Sequence, residues 1–172
     1  MFSIRTGMTI ERTIASFFRL DDRTWKRHAN PSSVISRNTA LPLLIIAFWS
    51  RIWFGWWALI PVGFALVWTW LNPRLFSEPD SYEHWSSKAV FGERLWMNRD
   101  EVPVPVHHRR VPNILSVVSG IGMLLVIWGV AFFEIWPLIL GAVLIYLGKL
   151  WFLDRMVWLW EDMSDEEIDK KI

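Results

Sequence analysis

Charged residues divide the chain into apolar runs. Asn38 to Ser50 contains no Asp, Glu, Lys or Arg. Arg51 interrupts, and Ile52 to Pro73 is again uncharged. Val111 to Phe133 is a third run, Glu134 interrupts, and Ile135 to Gly148 is the fourth. A helix needs about 20 residues to cross bilayer hydrocarbon. The first run is shorter, but Asn30-Pro31 extends it: Asn is a good N-cap, and Pro suits the first helical position, where its missing N–H costs nothing. The fourth extends past Lys149, whose aliphatic stem lets the ammonium reach the headgroups. The pattern predicts four transmembrane helices at 32–51, 54–72, 113–133 and 135–153. Pro42 and Pro61 fall inside the first two and are expected to kink them.

The connections around Arg51–Gly55 and at Glu134 are short, and short connections force antiparallel neighbours. The expected fold is an all-α integral membrane protein of two antiparallel hairpins with cytoplasmic interfacial amphipathic helices. It forms a single membrane domain over 1–172. Its parts are an N-terminal interfacial arm (1–31), a first hairpin (32–72), a cytoplasmic loop (73–112), a second hairpin (113–153) and an acidic tail (154–172).

Composition agrees with a bilayer. Apolar residues make up 53% of the chain, and there are 14 Trp against 2 Tyr. Trp favours the membrane–water boundary because its ring prefers hydrocarbon and its N–H prefers a polar partner. Trp49, Trp53, Trp56, Trp57 and Trp136 fall at one set of helix ends, and Trp68, Trp70, Trp151, Trp158 and Trp160 at the other. Lys and Arg set the orientation. The arm to Asn38 carries seven, the loop from Pro73 to Pro112 six and the tail from Asp154 three, whereas the two short connections carry only Arg51. Both termini are therefore expected in the cytoplasm, with the chain multi-pass in the plasma membrane. Met1 to Leu20 carries Arg5, Arg12 and Arg19 and does not read as a secretory signal.

The polar segments have their own patterns. Ile10, Ile14, Phe17 and Phe18 form one stripe over Met8–Leu20, as an interfacial helix requires. Asp80-Ser81-Tyr82-Glu83 resembles a capping box opening a second such helix, with Tyr82, Trp85, Ala89 and Trp96 on one face. Val102-Pro103-Val104-Pro105-Val106 must be extended, since Pro restricts the residue before it. The acidic tail from Ser164 is expected to fray.

Candidate chemistry gathers on the cytoplasmic side. His107-His108-Arg109-Arg110, just before the third helix, suits a lipid phosphate or other anion; positive charge there also enforces topology. Asn30-Pro31 and Asn72-Pro73-Arg74 should meet in space, since their helices are antiparallel neighbours, and with His28 would form a polar patch. Capping and helix termination explain the same residues without a ligand. The candidate lipid- or anion-binding residues are thus His28, Asn30, Asn72, Arg74, His107, His108, Arg109 and Arg110. No metal site is expected: adjacent residues in extended chain point apart, so His107 and His108 offer one ligand at most. Zero Cys excludes disulfides, iron–sulfur clusters and thiolate zinc, and no cofactor is expected. No Gly-x-Ser-x-Gly or phosphate-loop motif occurs. The spans hold no mid-membrane ionisable residue, which argues against a pump. Net charge of +1 provides no field for nucleic acid.

Trp25-Lys26-Arg27-His28-Ala29-Asn30-Pro31, Trp70-Leu71-Asn72-Pro73-Arg74-Leu75-Phe76, Lys88-Ala89-Val90-Phe91-Gly92-Glu93-Arg94, Val104-Pro105-Val106-His107-His108-Arg109 and Leu147-Gly148-Lys149-Leu150-Trp151-Phe152-Leu153-Asp154-Arg155-Met156 resemble an uncharacterised family of small prokaryotic multi-pass membrane proteins. The resemblance runs from about Leu20 to Met163 and implies no mechanism.

The expected role is non-enzymatic: binding lipid headgroups or a protein partner on the cytoplasmic face. A membrane-bound enzyme acting on a lipid or amphipathic substrate at the inner leaflet, with His28, His107 or His108 as acid/base, is the alternative. Membrane lipids are the expected partners, with a homo-oligomer or a membrane protein partner also open. One contact is specific: Arg51 and Glu134 occupy the outer ends of tight hairpins, and a lone charge near hydrocarbon is costly. A salt bridge between them is expected.

Overall fold

The computed structural model describes residues 22–99 and 102–169, so the expected helix at Met8–Leu20 lies outside the described residues. The described residues are helical, without strands. The helices are α1 (Asp22–His28), α2 (Pro31–Arg37), α3 (Ala40–Trp49), α4 (Arg51–Phe54), α5 (Leu59–Leu75), α6 (Trp85–Met97), α7 (Arg110–Phe132) and α8 (Ile135–Asp169). Three helical stretches are long and apolar enough to cross a membrane: Pro31–Asn72 with 42 residues, Val106–Phe132 with 27 and Ile135–Ser164 with 30.

Local chemistry sets the ends. Asn30 caps α2 by accepting the Ser32 N–H, with Pro31 opening the helix. Between α3 and α5 the chain reverses through α4 and a 3-10 turn at Gly55–Ala58. Gly55 sits at φ 52°, a left-handed conformation that side chains resist. The α7–α8 junction turns on Phe133, at φ 60°.

Two helix pairs result. In one, α2 and α3 run antiparallel to α5: Ser33 meets Asn72, Thr39 meets Trp68, and Ala47 packs with Val62 and Ala65. In the other, α7 and α8 touch backbone to backbone. A Cβ on Gly122 would lie 2.7 Å from the Gly141 carbonyl, and one on Gly129 would lie 2.7 Å from the Leu138 nitrogen. Small residues let helices approach this closely in lipid, where no hydrophobic force separates them from the solvent. Ser119 joins this seam against Gly148, whereas Gly120 faces open space.

Arg51 ties the pairs together, but not by the expected salt bridge. Its guanidinium donates to the Val130 and Ala131 carbonyls (2.5 and 2.8 Å) and lies 4.3 Å over the Phe133 ring. The last carbonyls of a helix lack intrahelical partners and carry the negative end of its dipole, so α7 itself supplies the counter-charge. Trp49 packs edge-on against Phe133 at this end, where Trp53, Trp56, Trp57 and Trp136 are exposed. The first set of Trp residues therefore shares one end of the molecule.

The other end is a helical cap. α8 has 35 residues and runs about 52 Å, far beyond the roughly 30 Å of bilayer hydrocarbon. Its far half does not fray at Ser164 but stays helical through Asp169. Phe152, Met156 and Leu159 recur on one stripe and bury with Trp96, Val104 and Leu115. α6 crosses here so tightly that a Cβ on Gly92 would collide with the Met156 carbonyl. Instead of lying on a surface, α6 is sandwiched. Val90 packs on Trp25 and Ala29 of the α1 side, and Ala89 on Leu153 and Val157 of α8. The expected capping box does not form. α6 begins at Trp85, and the His84 ring accepts the Ser86 N–H (3.2 Å), while the Ser81 hydroxyl takes the Glu83 N–H.

Candidate functional site

Polar side chains collect at the cap end, away from Arg51, in two clusters. The first is where α1, α2, α5, α6 and α8 meet. Asn72 is fully buried. Its Oδ1 accepts from the Ser33 hydroxyl (3.2 Å), and its Nδ2 donates to the Ser36 hydroxyl (2.7 Å). Asn30 Nδ2 donates to the Ser77 carbonyl (3.0 Å), so the two Asn-Pro corners are neighbours as expected. α5 nevertheless continues through Leu75 rather than ending at Pro73. The Ser87 hydroxyl donates to the Ala29 carbonyl (2.7 Å), fixing α6 to the α1–α2 corner.

His28, Arg37, Glu93 and Lys149 lie beside this network. The Arg37 guanidinium contacts the His28 ring, which stands edge-on to Trp25. Lys149, exposed on α8, has its Nζ 2.7 Å from the Glu93 carboxylate and 5.1 Å over the Phe152 ring. Burial, then the charges of Arg37 and Lys149, hold the His28 imidazole well below its ordinary range, so it is neutral. Burial pushes the Glu93 carboxyl up, but Lys149 and Arg37 outweigh it and hold the group below the usual carboxylate range. The cluster is a closed ionic staple joining α2, α6 and α8.

The second cluster is built on the 3-10 turn Val106–His108 before α7. His108 Nε2 lies 2.7 Å from Asp162 Oδ2, and His107 Nε2 lies 3.3 Å from the same oxygen. The rings are 4.3 Å apart; His108 is buried and His107 exposed. Adjacent histidines were expected to point apart. A 3-10 turn has about 3 residues per turn, so successive side chains diverge by less than in a strand and both rings reach Asp162. Arg109 Nε donates to the Val104 carbonyl (3.0 Å), and Arg110, exposed, is the first residue of α7.

Seven of the eight candidate residues thus fall into two groups: His28, Asn30 and Asn72 belong to the first, and His107, His108, Arg109 and Arg110 to the second. Lys149 and Asp162 mark the two on α8, and 13 helical steps put them about 20 Å apart. Arg74 lies 4.2 Å over the Trp70 ring, and Arg155 lies 4.2 Å over Trp158.

Sequence reasoning missed Arg37, Glu93 and Asp162. Asp162 had a signal: Phe152, Met156, Leu159 and Met163 keep a helical period past the expected end of the fourth span. That continuation places Asp162 on a helix rather than in a tail.

One family of known proteins matches, over residues 9–172: a family of unknown function, DUF6653. The chain belongs to the DUF6653 family. No curated protein and no solved structure matches it. What this DUF6653 chain offers a ligand is therefore read from its surface. An apolar groove of about 640 Å³ runs between α3 and α5, past Leu43, Ile46, Phe64 and Trp68. A second of about 340 Å³ lies between α3 and α7, past Leu44, Phe48, Met123 and Ile127. Neither groove is lined by His, Asp or Glu, so neither carries acid–base chemistry.

Proposed function

We propose that the protein crosses the bilayer four times, as two hairpins, and binds anionic phospholipid with the basic rim of a cytoplasmic cap. Pro31–Asn72 supports two crossings. Its 42 residues would extend about 63 Å as one helix, twice the hydrocarbon thickness, and Gly55 reverses the chain near the middle. The positive segments then share one side, the cytoplasm, and the exposed Trp end lies outside.

The observation that carries the lipid reading is the placement of Arg74, Arg109, Arg110 and Arg155. All four lie toward the cap end of their helices, and two of them, Arg74 and Arg155, stack on Trp rings of their own helices. A guanidinium at that depth offers paired N–H donors to a phosphate, and the neighbouring Trp ring anchors to the acyl boundary. The apolar grooves beside α3 give acyl chains a bed.

Native mass spectrometry from nanodiscs of mixed phosphatidylcholine and phosphatidylglycerol tests this. Wild type should retain phosphatidylglycerol selectively. Arg109→Gln/Arg110→Gln should lower that retention several-fold, and adding Arg74→Gln should lower it further. Insertion should survive, because seven basic residues remain in the arm to Asn38. Equal lipid selectivity in wild type and the triple variant would refute the reading and leave these residues with a topological role alone.

A further inference from the structure

The lipid reading uses the arginines and leaves His107, His108 and Asp162 unexplained. Both imidazole Nε2 atoms converge on one carboxylate oxygen, at 3.3 and 2.7 Å, and the three ligand atoms all lie within 4.8 Å of one another. The geometry points to a binding site for a divalent transition metal of the zinc class, with His107 Nε2, His108 Nε2 and an Asp162 oxygen as ligands. Two nitrogens and one oxygen form a donor set typical of zinc sites that keep an open position. Zinc holds such atoms at about 2.0–2.2 Å, which sets ligand–ligand separations near 3.4 Å in a tetrahedron. The two His–Asp separations, 3.3 and 2.7 Å, lie at and below that value, so seating an ion needs the His108 and Asp162 side chains to part by roughly 0.7 Å.

Three features make this more than a surface contact. His108 is buried, so its ring is held by the protein rather than by solvent. The ligands come from two elements, the Val106–His108 turn and the far half of α8. Those elements are locked by the core of Trp96, Val104, Leu115, Met156 and Leu159. His107 is the exposed member, and on its side a fourth position opens to water or to an anionic oxygen. A bound ion would staple the loop before α7 to α8 and add two positive charges beside Arg109 and Arg110.

The test uses the full chain in mild detergent with any affinity tag removed. It is stripped with chelator and titrated with Zn²⁺ by equilibrium dialysis; Co²⁺ is then substituted and its visible spectrum recorded. Wild type should bind one ion per chain, with a Co²⁺ spectrum of a four- or five-coordinate nitrogen–oxygen site. Asp162→Asn, which is isosteric, and His107→Gln, at an exposed position, should each weaken binding at least tenfold. His84→Asn should leave it unchanged. If one variant fails to fold, the other carries the same readout. Absent binding in wild type, or binding unmoved by both variants, would overturn the site and reduce the cluster to a hydrogen-bonded triad. The lipid reading would survive either result, since Arg109→Gln/Arg110→Gln leaves the three ligands in place.

Discussion

The α7–α8 and α3–α5 pairs are both antiparallel and both apolar, yet they are held together differently. In α7–α8 the backbones touch over Gly122, Gly129, Gly141 and Gly148, and there is no room for a Cβ along the seam. In α3–α5 the helices touch through the side chains of Ala47, Val62 and Ala65 beside a groove of about 640 Å³, and hydrogen bonds at one end, from Trp68 to Thr39 and between Asn72 and the α2 serines Ser33 and Ser36, add to the fastening. Lipid offers helices no hydrophobic reason to associate, so they must use close packing or polar contacts. Backbone contact dominates in α7–α8, whereas α3–α5 combines side-chain packing with polar contacts. The α7–α8 pair should therefore be sensitive to added volume, and the α3–α5 pair to lost polar partners.

The largest effect is expected at the glycine seam. A Cβ on Gly141 would lie 2.5 Å from the Gly122 carbonyl and 2.7 Å from the Val126 nitrogen. Gly141→Leu should force the helices apart, costing on the order of 3 kcal/mol or more, and give aggregated protein on size exclusion. Gly120→Leu is the matched control, with nothing within 4 Å of its Cβ, and should elute as wild type. Equal behaviour of the two would break the contrast between the pairs.

Next comes Asn72→Ala. It strands the buried Ser33 hydroxyl and removes a donor from the Ser36 hydroxyl, which keeps its bond to the Ser33 carbonyl, and should lower stability by about 1–2 kcal/mol, read as a depressed melting temperature. Asn72→Ala combined with Ser33→Ala should cost less than the sum of the two single changes, since they share one network.

A smaller effect concerns pH. His28 is neutral when folded because its folded pKa lies below its unfolded value of about 6.5. The unfolded chain therefore takes up a proton first, and stability must fall as pH drops below about 6.5 toward the lowered folded value, by at most about 1.4 kcal/mol per pH unit. Glu93, whose folded pKa is also lowered, acts in the same direction at lower pH, below the unfolded carboxylate value. Melting curves between pH 7.5 and 5 should show the decline, and His28→Asn should flatten it.

The smallest effect is at the joint between the pairs. Arg51→Gln loses the α7 cap and the Phe133 contact, and should cost about 0.5–1 kcal/mol. A double-mutant cycle with Glu134→Gln should give a coupling near zero, because Arg51 is satisfied by carbonyls and not by Glu134.

Much of the fold was legible because bilayer constraints write themselves into charge placement. The apolar runs, the Asn30-Pro31 cap and the proximity of Asn30 and Asn72 all follow from local chemistry. The cap was less legible. Whether α6 lies on a surface or between two helices depends on Gly92 meeting Met156, a contact between residues 64 positions apart that no local pattern encodes. Trp160 shows the same difficulty: its composition suggests a boundary residue, but it packs on Phe91. The ionic staple was missed because Arg37, Glu93 and Lys149 read singly as surface charges. The His–His–Asp cluster was missed because a turn, not a strand, carries His107 and His108.

The central claim is that Pro31–Asn72 crosses the bilayer twice, leaving both polar ends of that stretch on the cytoplasmic side. The chain has no native Cys, so single-cysteine variants report without background. Trp56→Cys at the exposed turn, Ser77→Cys after α5 and Ser164→Cys on α8 should be probed in intact cells with a membrane-impermeant maleimide. Trp56→Cys should label from outside, and Ser77→Cys and Ser164→Cys only after permeabilisation. Labelling of Trp56→Cys and Ser77→Cys from the same side would contradict the account.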